Sequence, residues 1–240
     1  MGNKSFRFKQ FEVFHDKCAM KVGTDGVLLG AWARVEDARS ILDIGTGTGL
    51  IALMLAQRNN YANIVGIDID SDAALQAKEN VEGSIFSSRI VIEHSSLMEY
   101  VQQTNKKFDV IVSNPPYFIN SLESPHHNRA KARHANSLAL GDLLLLASKV
   151  ITTDGRLSIV YPYDEINNIE KFITEYGWFV VRRTDVYSKV DSIKPIRILL
   201  ELGFGKPTAT PDVSVLHIEV ERHKYTDQYK KLTKDFYLKM

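Results

Sequence analysis

The sequence predicts an α/β domain built on a doubly wound, mostly parallel sheet, with an N-terminal hairpin and helix preceding the first core strand. Three observations carry this expectation. Short apolar, β-branched runs at Ser40–Ile44, 63–67 and 108–112 lack the alternation of a half-exposed strand and read as strands buried on both faces. Helix-length segments separate them, as right-handed crossovers between parallel strands require. Each run also ends in a glycine-rich or polar turn, where sheets of this class bind ligands. At 240 residues the chain is long enough for one such domain with small additions.

Taken in order, Phe6-Arg7-Phe8-Lys9-Gln10-Phe11 alternates aromatic and polar residues, and Val13-Phe14-His15 follows, so a short hairpin opens the chain. The segment 21–26 reads as a loop over the mouth of a pocket, with Thr24 or Asp25 as the N-cap of a helix over 27–33. After the first buried strand comes Gly45-Thr46-Gly47-Thr48-Gly49, then an apolar helix from Leu50. Three glycines let backbone amides approach a ligand at a helix N-terminus. Position 50 is Leu, so the spacing departs from the dinucleotide fingerprint. The second strand ends in Asp68, placed to accept both hydroxyls of a ribose.

Helix over 72–81, strand over 89–93, a short helix over 97–101 and strand over 108–112 complete the first half. The turn Ser113-Asn114-Pro115-Pro116-Tyr117 follows. Two prolines stiffen it and remove donors, leaving the Asn114 side-chain oxygen and the Pro115 carbonyl to accept from one planar NH₂ group, with Tyr117 as a stacking face. Residues 118–136 show no apolar period and read as a long functional loop. Arg129, Lys131, Arg133 and His134 within it are candidates for an RNA backbone. The second half predicts helices over 142–150 and 165–176 and strands over 155–161, 178–181 and 195–202. The last two strands flank a polar connection whose Arg182, Arg183, Lys189 and Lys194 could form a second basic patch. An edge strand follows over 213–220, then an apolar stripe of Tyr225, Tyr229, Leu232 and Phe236.

Composition excludes several classes. Thirty basic against twenty-nine acidic residues leave no global field for nucleic acid, so any such partner needs a local patch. A single cysteine, Cys18, excludes an internal disulfide. His126, His127 and His134 match no metal-ligand spacing, so no metal is expected. No segment reads as a membrane span or leader, which places the chain in the cytoplasm.

The run from Asp43 through the three glycines, then Asp68, then Asn114-Pro115-Pro116-Tyr117 resembles the S-adenosylmethionine-dependent methyltransferases with a seven-stranded sheet, over roughly residues 20–205. Residues 6–11, the stretch 19–32 and the tail 232–239 are similar to the bacterial tRNA1(Val) (adenine(37)-N6)-methyltransferase family, a match covering nearly the whole chain. The resemblance implies one domain, with a cofactor core at 37–205 and additions at 1–36 and 206–240. It implies S-adenosylmethionine held by Asp43, Gly45, Gly47 and Gly49 at its methionine end and Asp68 at its ribose, with Thr24 and Asp25 in the covering loop. Ser96 stands where many relatives carry an acidic residue against the adenine. Asn114, Pro115 and Tyr117 go to a target adenine amine in a tRNA anticodon loop. The same motif also fits a glutamine side-chain amide in a release factor, but the glutamine enzymes usually carry a helical domain before the sheet. A non-enzymatic RNA-binding module would need no glycine loop.

Overall fold

A computed structural model describes residues 4–18, 21–115, 139–207 and 209–239. The elements run β1 (Ser5–Arg7), β2 (Glu12–Phe14), α1 (Thr24–Trp32), β3 (Ser40–Ile44), α2 (Leu50–Arg58), β4 (Asn63–Asp68), α3 (Ser71–Glu82), β5 (Ile90–His94), α4 (Leu97–Gln103) and β6 (Phe108–Ser113). Then come α5 (Leu140–Val150), β7 (Ile151–Pro162), α6 (Ile166–Glu175), β8 (Trp178–Lys189), β9 (Arg197–Phe204), β10 (Asp212–Glu221), β11 (Lys224–Tyr225) and α7 (Asp227–Thr233). Among the described residues the main sheet has nine strands in the order β11-β10-β8-β9-β7-β6-β3-β4-β5. Seven of them, β5 through β8 in that order, form the expected sheet; β10 and β11 extend it at one edge. Strand β9 runs antiparallel to both its neighbours, β11 runs antiparallel to β10, and the other pairings are parallel.

The order reverses at β3. The chain steps outward through β4 and β5, then returns to lay β6 on the other side of β3, in register from Ile41 opposite Val110 to Ile44 opposite Ser113. The crevice at the carboxyl ends of β3 and β6 is therefore the switch point of the sheet, where ligands of such folds bind. Alternate residues supply two cores. Ile41, Val110 and Val112 face α1 and α2, while Leu42, Ile44 and Ile111 face the side covered by α5. Helix α1 is apolar all round because it is buried all round, packed on α2, on α7 and on β7.

Strand β8 is the largest departure from the sequence expectation. Its polar stretch from Arg182 to Asp185 reads as a connection, yet it stays in the sheet between β9 and β10. The polar groups pair internally. Arg182 lies 3.6 Å over the Trp32 ring and bonds at 3.0 Å to the buried carboxylate of Glu201. Trp32 donates to Thr184 at 2.9 Å, and Arg183 forks onto Asp185. Arg182 and Arg183 are thus tied into the sheet rather than offered to a partner, and Lys194 is paired with Asp164. Two of the four cations of the late-connection patch expected from sequence are thereby drawn into the sheet.

The two ends of the chain clasp each other. Phe8 bridges to Tyr237, and the Lys9 backbone N–H donates to the Phe236 carbonyl at 2.8 Å. Gln57 of α2 bonds the Asp235 carbonyl. Tyr229 and Phe236 are each 2 % exposed, so the C-terminal stripe faces the core as its period predicts. From the other side, Asn80 of α3 accepts from the Phe14 N–H at 2.9 Å and donates to the Phe14 carbonyl at 2.8 Å and the Thr48 carbonyl at 2.9 Å. One buried amide thereby ties the hairpin to the glycine loop. Asn80→Ala strands these groups, and we expect a loss of about 1–3 kcal/mol in urea unfolding. An unchanged midpoint would show that water replaces the amide at no cost.

Candidate active site

Where β3 ends, the N–H groups of Gly45 and Thr46 both donate to the Ile67 carbonyl, folding the loop across the end of β4. Gly45, Gly47 and Gly49 take φ values of 70°, 56° and 78°, a region that only glycine enters without strain. Gly49 packs on Ala77, at 3.3 Å from where a Cβ would sit. Gly45 has nothing within 4 Å of that point, and Gly47 only the Gly45 carbonyl, so the loop leaves an open face towards the crevice.

Two carboxylates frame that face. Asp43 is fully buried; its Oδ2 accepts from the Thr46 hydroxyl at 2.7 Å and the Ala52 N–H at 3.2 Å. Its Oδ1 has no hydrogen-bond partner among the described residues. Burial pushes this carboxyl up to about 7. Asp68 takes the Gly47 N–H on Oδ2 at 2.8 Å and the Asp70 N–H on Oδ1 at 2.9 Å, holding the glycine loop against β4. Burial raises its pKa too, in spite of those two bonds. Burial penalises the charge of both carboxylates, and a cationic ligand would compensate it.

Across the switch point, Ser113 donates from its hydroxyl to the Ile44 carbonyl at 2.9 Å, locking the end of β6 to the end of β3. Half-buried Asn114 and buried Pro115 therefore emerge beside Gly45. The point where a Cβ of Gly26 would sit is 3.1 Å from Leu50 and 4.0 Å from the Asn114 side-chain nitrogen. The start of α1 is thus packed on the motif, and a bulkier residue there has no room. Helix α1 begins three residues earlier than the span 27–33 read from sequence. Gly23 is its N-cap, and neither Thr24 nor Asp25 caps it. Asp25 instead receives the Arg197 guanidinium at 2.9 Å, joining α1 to β9 at the crevice edge. Ser96 caps α4 in a reciprocal box with Glu99: it accepts the Glu99 N–H at 3.2 Å and donates to its carboxylate at 2.7 Å. Its hydroxyl is thereby engaged within its own helix. Tyr117, Arg129, Lys131, Arg133 and His134 lie outside the described residues.

Asn80 and Thr46 hold the glycine loop in place, and sequence reasoning misses both, the first as a single polar residue on an amphipathic helix, the second as a spacer between glycines. The period of α3 is the available signal: Ala73, Ala77 and Asn80 share its buried face, where an unpaired amide is costly.

A crevice at the switch point, with the Asn114–Pro115 turn on one side and an open glycine turn flanked by two carboxylates on the other, has the layout of the S-adenosylmethionine-dependent methyltransferases. Residues 18–175 match the family model described as "Methyltransferase small domain". The chain is 50 % identical over all 240 residues, the full length of both proteins, to the "tRNA1(Val) (adenine(37)-N6)-methyltransferase" of Parabacteroides distasonis. A protein of the same description from Trichodesmium erythraeum is 45 % identical, again over the whole of both chains. A solved structure described as a predicted O-methyltransferase from Agrobacterium tumefaciens superposes with a TM-score of 0.69 at 17 % identity, covering 88 % of this chain and 96 % of that one. The chain belongs to the tRNA1(Val) (adenine(37)-N6)-methyltransferase family, and it is an S-adenosylmethionine-dependent enzyme.

Proposed function

We propose that this enzyme methylates the exocyclic N6 amine of an adenine in a tRNA anticodon loop, adenine 37 of tRNA(Val), in the cytoplasm. The observation that carries the reading is the lock between Ser113 and Ile44, which sets Asn114 and Pro115 beside the open face of the glycine loop. The crevice fits S-adenosylmethionine on two features of the chain: the glycine face that a Cβ would obstruct, and the orphaned Asp43 Oδ1, a natural partner for an ammonium group. The Gly45–Gly49 turn would receive the methionine end and Asp68 the ribose hydroxyls. Bound there, the cofactor would supply an electrophilic methyl, and the amine held by Asn114 and Pro115 would receive it and give up one proton to solvent water.

An adenine amine is a weak nucleophile because its lone pair is delocalised into the ring. Two acceptors on its protons, the Asn114 oxygen and the Pro115 carbonyl, favour a pyramidal nitrogen with its lone pair aimed at the methyl. No strong base is required, since the nitrogen becomes acidic only as the methyl arrives. The target base must leave its stack, a cost of a few kcal/mol that is lowest in a single-stranded loop. Tyr117 would offset part of it by stacking. Arg129, Lys131, Arg133 and His134 are proposed to meet the adjoining backbone.

Asp43 makes the cofactor reading testable by titration. Its carboxyl ionises near 3.8 when exposed and near 7 in the ligand-free fold, so below pH 7 the site holds a proton that an ammonium partner would expel. Affinity should therefore climb between pH 5.5 and 7 and then level, with proton release visible as a buffer-dependent calorimetric heat. The stability of the ligand-free protein should fall through this group as pH rises from about 4 to 7, because the unfolded chain ionises first. Asp43→Asn should remove both dependences. The substrate is decided by offering purified tRNA and purified release factor side by side with labelled methyl donor. Label entering the protein and not the tRNA would overturn the proposal.

A further inference from the structure

Strand polarity places a second surface on the same rim as the crevice. Strands β7 and β8 each run antiparallel to β9, and β10 runs parallel to β8, so the carboxyl ends of β6, β7, β8 and β10 share one edge of the sheet. At the end of β10 lies a groove of about 790 Å³, bounded by the β10–β11 turn, the start of α7 and the C-terminal tail. Lys224, Lys230 and Lys239 line it, with His217 and His223, against one acidic side chain, Asp227. Among the described residues Lys224 and Lys230 pair with local carboxylates, Glu221 at 3.3 Å and Asp227 at 3.4 Å, in exposed i,i+3 pairs that salt readily screens. The turn itself is strained, with His223 at φ 66° and its N–H held by Glu219 at 3.1 Å. The groove thus has an apolar floor of Val190, Val220 and Tyr225 rimmed by three lysines, two of them in exposed pairs.

Four strand spacings separate β6 from β10 in the sheet, about 19 Å at 4.8 Å each. A single base cannot span that distance, whereas a folded nucleic acid can. We propose that this groove takes the phosphate backbone of the RNA at a point remote from the target base, so that a folded shape is gripped at two places on one rim. The proposal rests on the reading of the chain as a tRNA methyltransferase. It also accounts for a near-neutral protein that acts on a polyanion: the charge is local, on the additions outside the cofactor core.

The test is a triple variant, Lys224→Ala with Lys230→Ala and Lys239→Ala, titrated with purified full-length tRNA over a range of salt. Every phosphate that the variant leaves unneutralised flattens the slope of log K against log salt by about 0.9, so the slope should flatten by two to three and binding at about 0.15 M salt should weaken tenfold or more. The loss should fall on KM for tRNA rather than on kcat, and the triple Lys→Arg variant should recover it. A melting curve and cofactor affinity matching the wild type establish that the fold is intact; if the triple variant fails that check, the single Lys224→Glu variant, expected to weaken binding severalfold, replaces it. Wild-type affinity and salt slope in the folded variant overturn the inference alone. A wild-type enzyme that leaves tRNA unlabelled overturns the underlying reading as well.

Discussion

Asn114→Ala should lower turnover by a hundredfold or more while cofactor affinity stays within about twofold. The asymmetry follows from position. Asn114 stands at the end of β6, held in place by Ser113 on Ile44, and its oxygen is assigned to the reacting amine, not to the cofactor. An acceptor that strengthens only as positive charge develops on the nitrogen acts on the transition state, and removing one such interaction costs about 3 kcal/mol. Single-turnover methylation and calorimetry on the same preparation separate the two quantities. Affinity that declines in step with turnover would move Asn114 from the target base to the cofactor.

Asp68→Ala should weaken S-adenosylmethionine by about 2–3 kcal/mol, thirtyfold or more, the scale of charge-assisted hydrogen bonds. The geometry adds a second reason for a large effect. The carboxylate already secures the Gly47 N–H at 2.8 Å, so its removal also loosens the loop that faces the ligand. Asp68→Asn keeps an acceptor for that amide and loses the charge, and should fall between the two. Calorimetry showing wild-type affinity for the alanine variant would remove Asp68 from the site.

What is legible in the sequence is the part where chemistry and pattern coincide. Residues 40–49 can be read because an apolar β-branched run stopped by three glycines has few structural solutions, and the strand bounds Ser40–Ile44 agree to the residue. The switch point follows from alternation of strands and helices. Strand β8 reads as a shorter element because Arg182 and Arg183 look solvated until Trp32 and Glu201, distant in sequence, are brought beneath them. The N-cap of α1 is misplaced from sequence for a related reason. Thr24 and Asp25 have the side chains for capping, but Arg197, 172 residues from Asp25, claims the aspartate. The period of α3 marks Asn80 as buried but gives no sign of its partners, the backbone groups of Phe14 and Thr48. In each case the missing information is a long-range polar pairing, which local propensity does not encode.

The clasp between the two ends of the chain bears on how the enzyme is made. The hairpin that Asn80 ties to the glycine loop is held from its other side by Phe236 and Tyr237. That segment leaves the ribosome after every described strand of the sheet has emerged, so the hairpin beside the crevice is secured late. A nascent or prematurely terminated chain then carries the strands without a secured hairpin. The seating of the hairpin beside the glycine loop thus depends on contacts between residues more than two hundred positions apart, which a chain cut before Asp235 lacks.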